Sequence, residues 1–256
     1  MGAPVNTLKA RLLAGERCHG CWLGLADAYS AELAGTAGFD WLLIDGEHAP
    51  NDIRSILAQL RAVQAGPSAP VVRLPDGDPV KIKQVLDIGA QTLLIPIVES
   101  AEQAEMLVRA TRYPPRGTRG VGAALARASS FGKESDYLAT ADAQVCLILQ
   151  VENRAGLAAL DDILKVEGVD GVFIGPADLA ADLGLAGPAD PEARKVVMEA
   201  LSRIAASGKF AGVLGFQRDF IDAAAEAGAT FLGVGADITI LREALTARAQ
   251  EFRSGG

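Results

Sequence analysis

The 256-residue chain holds only 3 cysteines and 2 histidines, and aromatic residues make up just 5% of it. Cys18, Cys21 and Cys146 are too few for a disulfide framework, and their odd number fits a reducing compartment, so a cytoplasmic location is expected. Basic residues are in deficit, with 24 Lys and Arg against 32 Asp and Glu for a net charge of −8. Without a basic run there is no positive field to hold a phosphate backbone or an anionic lipid surface, which argues against nucleic-acid and membrane partners. No apolar run approaches the roughly 20 residues that cross a bilayer, and the N-terminal MGAPVNTLKARLLAGER lacks the apolar core of a secretory signal. Glycine-rich dinucleotide, Walker and GxSxG signatures are absent too, which removes the commonest nucleotide and serine-hydrolase readings. Cys18-His19-Gly20-Cys21 has no second half-site and leads into a strand, so it is expected to be structural.

What is present is apolar: 50% of residues are hydrophobic and 22% charged. A chain of this size buries roughly 70–75% of its unfolded surface, so disorder is excluded. Eight short apolar runs recur: CWLGL (21–25), FDWLLID (39–45), APVVRLP (69–75), TLLIPIV (92–98), VCLILQV (145–151), GVFIG (171–175), FAGVLG (210–215) and TFLGVG (230–235). Runs without polar alternation fit strands of a parallel sheet covered on both faces. Most gaps between them show apolar residues at three- and four-residue spacing, opened by Asp, Asn or Ser and closed by Gly. Eight strands alternating with helices predict a single α/β domain over 1–256, a (β/α)8 TIM barrel. An open doubly wound sheet shares the alternation but gives no reason for eight. Residues 112–143, between the fourth and fifth strands, are too long for an ordinary connection and are expected to form an active-site loop.

In such a barrel, polar residues at the C-terminal ends of strands face the active-site mouth. They are Asp45, Glu47 and His48 after the second strand, Arg73 on the third, Glu99 after the fourth, Gln150 and Glu152 on the fifth, and Asp178 after the sixth. Gln150 and Glu152 share a face because side chains repeat every two residues. Glu152 and Asp178, on neighbouring strand ends, suit a hard divalent cation such as Mg2+ or Mn2+, unless Asp178 merely caps a helix and Glu152 pairs with an arginine. His48 among these acids is a candidate base. Arg73 is suited either to a carboxylate or an enolate oxygen, or to an internal ion pair with Asp45, Glu99 or Glu152. None of Lys9, Lys81, Lys83, Lys133, Lys165, Lys195 or Lys209 ends a predicted strand, so a Schiff-base route lacks its nucleophile.

Over residues 6–250 the chain resembles the metal-dependent class II pyruvate aldolases, the hydroxyketoacid aldolase family typified by 4-hydroxy-2-oxoheptanedioate aldolase. FDWLLIDGEHAP, VVRLP, TLLIPIVES, YPPRGTRGVG, LQVEN and FIGPADLAADLG carry the resemblance. It implies a phosphoenolpyruvate/pyruvate-type barrel and a carbon–carbon lyase. The activity implied is reversible addition of a pyruvate or hydroxypyruvate enolate to an aldehyde, with Mg2+, Mn2+ or Co2+ as cofactor. Residue by residue, it makes Glu152 and Asp178 metal ligands, His48 the base and Arg73 the transition-state stabiliser. Asp87 becomes the acid that raises the basicity of the histidine, and Gln150 with the backbone at Ala177 and Asp178 holds the oxoacid. It also implies a homo-hexamer, a trimer of dimers, with C-terminal helices exchanged between subunits; the apolar face of DITILREALTARAQEF suits either that exchange or packing on its own barrel. Other metal–enolate chemistry, of the phosphonate mutase or isocitrate lyase type, and a non-catalytic oxoacid-binding barrel are the competing readings.

Overall fold

The computed structural model describes residues 2–253. Eight parallel strands, β1 (Cys18–Leu23), β2 (Trp41–Asp45), β3 (Ala69–Arg73), β4 (Thr92–Ile95), β5 (Cys146–Val151), β6 (Gly171–Ile174), β7 (Phe210–Leu214) and β8 (Ala229–Ala236), close into a barrel in sequence order. The helices are α1 (Thr7–Leu13), α2 (Ala28–Gly35), α3 (Ile53–Val63), α4 (Pro79–Asp87), α5 (Ala101–Thr111) and α6 (Tyr137–Gln144), then α7 (Arg154–Ala158), α8 (Leu160–Ile163), α9 (Pro176–Asp182), α10 (Pro191–Ala206), α11 (Arg218–Glu226) and α12 (Asp237–Arg253). The expected (β/α)8 architecture is therefore the observed one. Each apolar run falls on a strand, although β8 outreaches TFLGVG by one residue at each end, and β1 begins three residues before CWLGL and stops at Leu23, where the Gly24 and Leu25 amides donate to Asp237 at 2.8 and 3.2 Å. Side chains of Asn6, Asp27, Asp52, Asp78, Ser100, Asn153 and Asp190 accept amide hydrogens at the starts of their helices, as their types predict.

Both strand faces are apolar, but they enter different cores. Leu42, Ile44, Val72, Leu93, Leu149 and Val172 pack outward under the helices. Trp22, Trp41, Leu43, Val71, Ile148 and Phe173 fill the barrel, where Trp41 stacks on Phe231 with centroids 4.0 Å apart. Room for that aromatic layer comes from Gly20, where a Cβ would lie 2.0 Å from Trp41 Cδ2. Leu8 and Leu12 of α1 join the same cluster and close the barrel at the N-terminal ends of the strands. Cys18 belongs to the interior and Cys21 to the outer layer, so the CxxC pair faces opposite ways, and burial pushes the two thiols up to about 11 and about 12.

The segment 112–143 differs from expectation. It follows α5 and leads through a 3-10 turn at Arg127–Ser129 and most of α6 into β5, so it is an αβ connection. Helices run antiparallel to the strands in this fold, which puts such a connection at the N-terminal rim of its own barrel, opposite the mouth. The C-terminal α12 buries none of its residues, and leaves Ile238, Leu241, Leu245 and Phe252 exposed along one side. Among the described residues, no helix is long and apolar enough to cross a membrane.

Candidate active site

The inward register of the strands turns polar at their C-terminal ends. Trp41, Leu43 and Asp45 follow one another inward on β2, Val71 and Arg73 on β3, and Cys146, Ile148 and Gln150 on β5. Asp45 and Arg73 are direct register partners. Arg73 Nε donates to Asp45 Oδ1 at 2.9 Å and Nη2 to Oδ2 at 2.6 Å, while its guanidinium carbon lies 6.0 Å from the Trp22 ring centroid. The third nitrogen, Nη1, is 2.8 Å from Glu47 Oε2. Asp45 Oδ1 also accepts the amides of Glu47 and His48, at 3.0 and 3.3 Å, and thereby shapes the turn that carries them. Burial works to raise the Asp45 carboxyl, but the Arg73 hydrogen bonds and charge, with the two amides, outweigh it and hold the group below the usual carboxylate range.

Glu152 follows β5 directly. Its Oε1 accepts the Ile97 amide at 2.9 Å and its Oε2 accepts Gln150 Nε2. Ile97 adopts φ +55°, a left-handed conformation that costs a β-branched residue on the order of 1–3 kcal/mol, and this backbone presents its amide to the carboxylate. Burial pushes Glu152 above the ordinary range against the Gln150 and Ile97 hydrogen bonds, with the Asp178 charge adding to the rise. Glu47 is raised as well, by burial first and by Glu152, with Arg73 opposing. Gln150 Oε1 is buried without a hydrogen-bond partner. At Gly175 a Cβ would come within 2.7 Å of Glu152 Oε2, so glycine keeps the space beside this oxygen clear.

The structure thus gathers Asp45, Glu47, Arg73, Gln150 and Glu152 in one mouth, with Ala177 and Asp178 exposed in the first turn of α9 at the neighbouring strand end. His48 stands at the rim with 66% of its side chain exposed and Nε2 3.7 Å from Glu47 Oε2. Glu99 accepts from Asn153 at 2.7 Å and stays outside the cluster. Among the described residues no group of three or more His, Cys, Asp or Glu forms a ready metal site. Asp87 is not brought to His48 within the chain. It ends α4 at the opposite rim, where it accepts from Arg119 Nη2 at 2.6 Å. Arg119 is itself 1% exposed and lies 4.5 Å from the Tyr113 ring centroid. Sequence reasoning missed Arg119, the Glu47–Arg73 contact and the role of Ile97. Only the order of helix before loop before strand hinted that Asp87 and 112–143 lie away from the mouth.

Fold and mouth together define a (β/α)8-barrel enzyme with paired acids and a buried arginine at its centre. The chain belongs to the HpcH/HpaI aldolase/citrate lyase family, whose model matches residues 19–244. It is 58% identical over 244 residues to a hydroxypyruvate/pyruvate aldolase of Roseovarius nubinhibens, covering 95% of each chain. It is 53% identical over 248 residues to a 4-hydroxy-2-oxo-heptane-1,7-dioate aldolase of Escherichia coli, covering 96% of this chain and 95% of that one. A crystal structure of a family member from Burkholderia cenocepacia J2315 superposes with a TM-score of 0.93 at 41% identity, over 97% of this chain and all of the other.

Proposed function

We propose that this protein is a divalent-metal-dependent aldolase that adds a pyruvate or hydroxypyruvate enolate to an aldehyde and, in reverse, cleaves 4-hydroxy-2-oxoacids. The observation that carries the proposal is the mouth itself: Glu152, Gln150 and Arg73 converge there in a chain more than half identical to aldolases. The donor set fits a hard cation. Glu152 is a buried carboxylate whose charge is opposed by Asp178, the Gly175 position leaves its Oε2 side clear, and the orphaned Gln150 Oε1 faces no protein donor. Two carboxylates with room for water and substrate suit Mg2+, Mn2+ or Co2+. Such a cation stabilises negative charge on the ketone oxygen of a bound oxoacid.

The remaining chemistry belongs to the chain. Gln150 and the backbone at Ala177 and Asp178 hold the oxoacid carboxylate. Arg73, fixed by Asp45, faces the oxygen that gains charge. His48 Nε2 takes the C3 proton, the C3 electron pair forms the bond to the aldehyde carbon, and the aldehyde oxygen receives the π electrons and then a proton. Glu152 and Asp178 are the metal ligands.

A homo-hexamer, a trimer of dimers, accounts for two features that the single chain leaves incomplete. The apolar side of α12 is covered when the helix is exchanged between partner barrels, and Asp87, remote from its own His48, comes to a neighbour's site. Three buried, unpaired cysteines agree with the cytoplasm as the site of action.

Deuterium exchange at C3 of pyruvate and of hydroxypyruvate in D2O, with added Mg2+ or Mn2+ and again with excess chelator, tests the reaction without an aldehyde. Metal-dependent exchange supports enolate formation. A folded, metal-bound protein that exchanges neither acid refutes it.

A further inference from the structure

At the N-terminal rim, on the far side of the barrel from the mouth, a cavity of about 460 Å3 opens between the turn that leads into β4 and the segment 127–137. Arg127 and Lys133 stand in its wall with the amide side chains of Gln64 and Gln91, and no Asp or Glu lines it. We infer that this cavity is a second ligand site, independent of the aldolase reading, which takes the phosphate group of a small phosphorylated metabolite on Arg127 and Lys133 and its organic part against Phe131.

Arg127 carries a charge that its fixed partners do not cancel. Its Nη1 donates to the Ile88 carbonyl at 2.8 Å and its Nη2 to Gln64 Oε1 at 2.7 Å, and both acceptors are neutral. Asp87, one residue before Ile88, is taken by Arg119 Nη2 at 2.6 Å. Gly89 makes room for the guanidinium, since its φ is +104° and a Cβ there would come within 2.6 Å of Arg127 Nη1. Partial burial, with Arg61 adding to it, pulls the guanidinium below its ordinary range, as befits a cation drawn out of water without a counter-ion. Lys133 is exposed and has no acid partner among the described residues, and Glu134 and Asp136 beside it do not line the cavity.

The chain is strained where it borders this cavity. Ser130 and Phe131 adopt φ of +54° and +60°, successive side-chain-bearing residues in the left-handed region, and Gly132 follows at +84°. The Ser129 hydroxyl steadies the turn by accepting the Gly132 amide at 3.1 Å. Its effect is to leave the Phe131 ring 68% exposed in the cavity wall, beside the two cations. That pairing suits a ligand with one highly charged end and one apolar end. A phosphate monoester carries close to two charges at neutral pH and several acceptor oxygens, which matches two cations flanked by amide donors better than a single carboxylate does.

The test is isothermal titration calorimetry of the full chain with phenyl phosphate, metals being held by chelator, and with inorganic phosphate and benzoate as comparison ligands. Saturable binding of phenyl phosphate is expected, tighter than that of inorganic phosphate, which lacks the ring, and tighter than that of benzoate by about tenfold or more. Lys133→Glu is expected to weaken phenyl phosphate by about tenfold or more and Lys133→Arg to retain it. Lys133 is exposed, so its replacement reads the charge and not the fold, whereas Arg127→Gln, expected to weaken binding similarly, also alters the contacts to Ile88 and Gln64. Absence of saturable binding, benzoate or inorganic phosphate binding as tightly as phenyl phosphate, or an unchanged affinity in Lys133→Glu overturns the site.

Discussion

Asp45 and Arg73 face each other across β2 and β3 and close a two-point ion pair of 2.9 and 2.6 Å at the barrel mouth. In the free protein the arginine is neutralised internally by Asp45, one of the three acids the sequence offers as its partner. It also leaves one guanidinium edge, Nη1, beside Glu47 Oε2 at 2.8 Å. Held at two points, that edge is oriented before any ligand arrives.

Removing the Asp45 charge leaves the buried Arg73 paired only along its Nη1 edge, to Glu47. Asp45→Asn is expected to lower stability by about 3 kcal/mol at neutral pH, read from urea unfolding. The folded Asp45 pKa lies below its unfolded value, so its contribution is complete above the unfolded pKa and is lost as pH falls through the folded one. The gap between wild type and variant therefore closes in acid. A gap that persists at the lowest pH assigns the loss to packing instead.

Glu152 behaves in the opposite sense. Its folded pKa is raised, so the metal-free protein loses stability as pH climbs from the unfolded value through the folded one. Glu152→Gln escapes this loss and is expected to melt above the metal-free wild type at pH 8, with the difference vanishing in acid. The same substitution removes metal-dependent C3 exchange and metal binding by calorimetry. Retained exchange relocates the metal site.

His48 projects from the rim, with most of its side chain exposed and Nε2 3.7 Å from Glu47 Oε2. His48→Ala is expected to leave metal affinity unchanged while slowing C3 exchange by roughly 100-fold or more. Undiminished exchange moves the base to another group.

Gly20 faces the Trp41 ring, where even a methyl group collides at 2.0 Å. Gly20→Ala is expected to cost about 3 kcal/mol by forcing the aromatic layer apart, measured by thermal unfolding. Full stability in this variant contradicts the described packing of the barrel interior.

Deleting α12 after Asp237, which keeps the carboxylate that holds the Gly24 and Leu25 amides, separates assembly from folding, since the helix contributes no buried residue to its own chain. The truncated barrel is expected to lose no more helical circular dichroism than α12 itself supplies and to run as a smaller oligomer in light scattering. An unchanged oligomer places the interface elsewhere.

Much of this protein was legible residue by residue. Asp52 and Asp78 announce their helices because a short acid there satisfies free amides. The eight strand runs are readable because a strand packed on both sides cannot tolerate polar alternation. Gln150 and Glu152 share a face through the two-residue repeat alone. Glu47 was visible as a rim acid, but its contact with Arg73 depends on a turn that Asp45 shapes through two amide hydrogen bonds.

The sequence by itself determined the barrel, its inward polar ring and the acids available to a cation, because local periodicity and strand order decide which side chains point inward. Only the tertiary structure decided the partners within that ring and the rim on which each outlying residue falls. Asp87 matches a functional position by resemblance and yet lies beside Arg119, while 112–143 turns out to join a helix to a strand at the far rim. The physical reason is that each helix reverses the direction of the preceding strand, so residues close in sequence to the site are carried to the other end of the barrel. Ion pairing is then set by which charged groups meet across neighbouring strands, a relation of register and not of sequence distance.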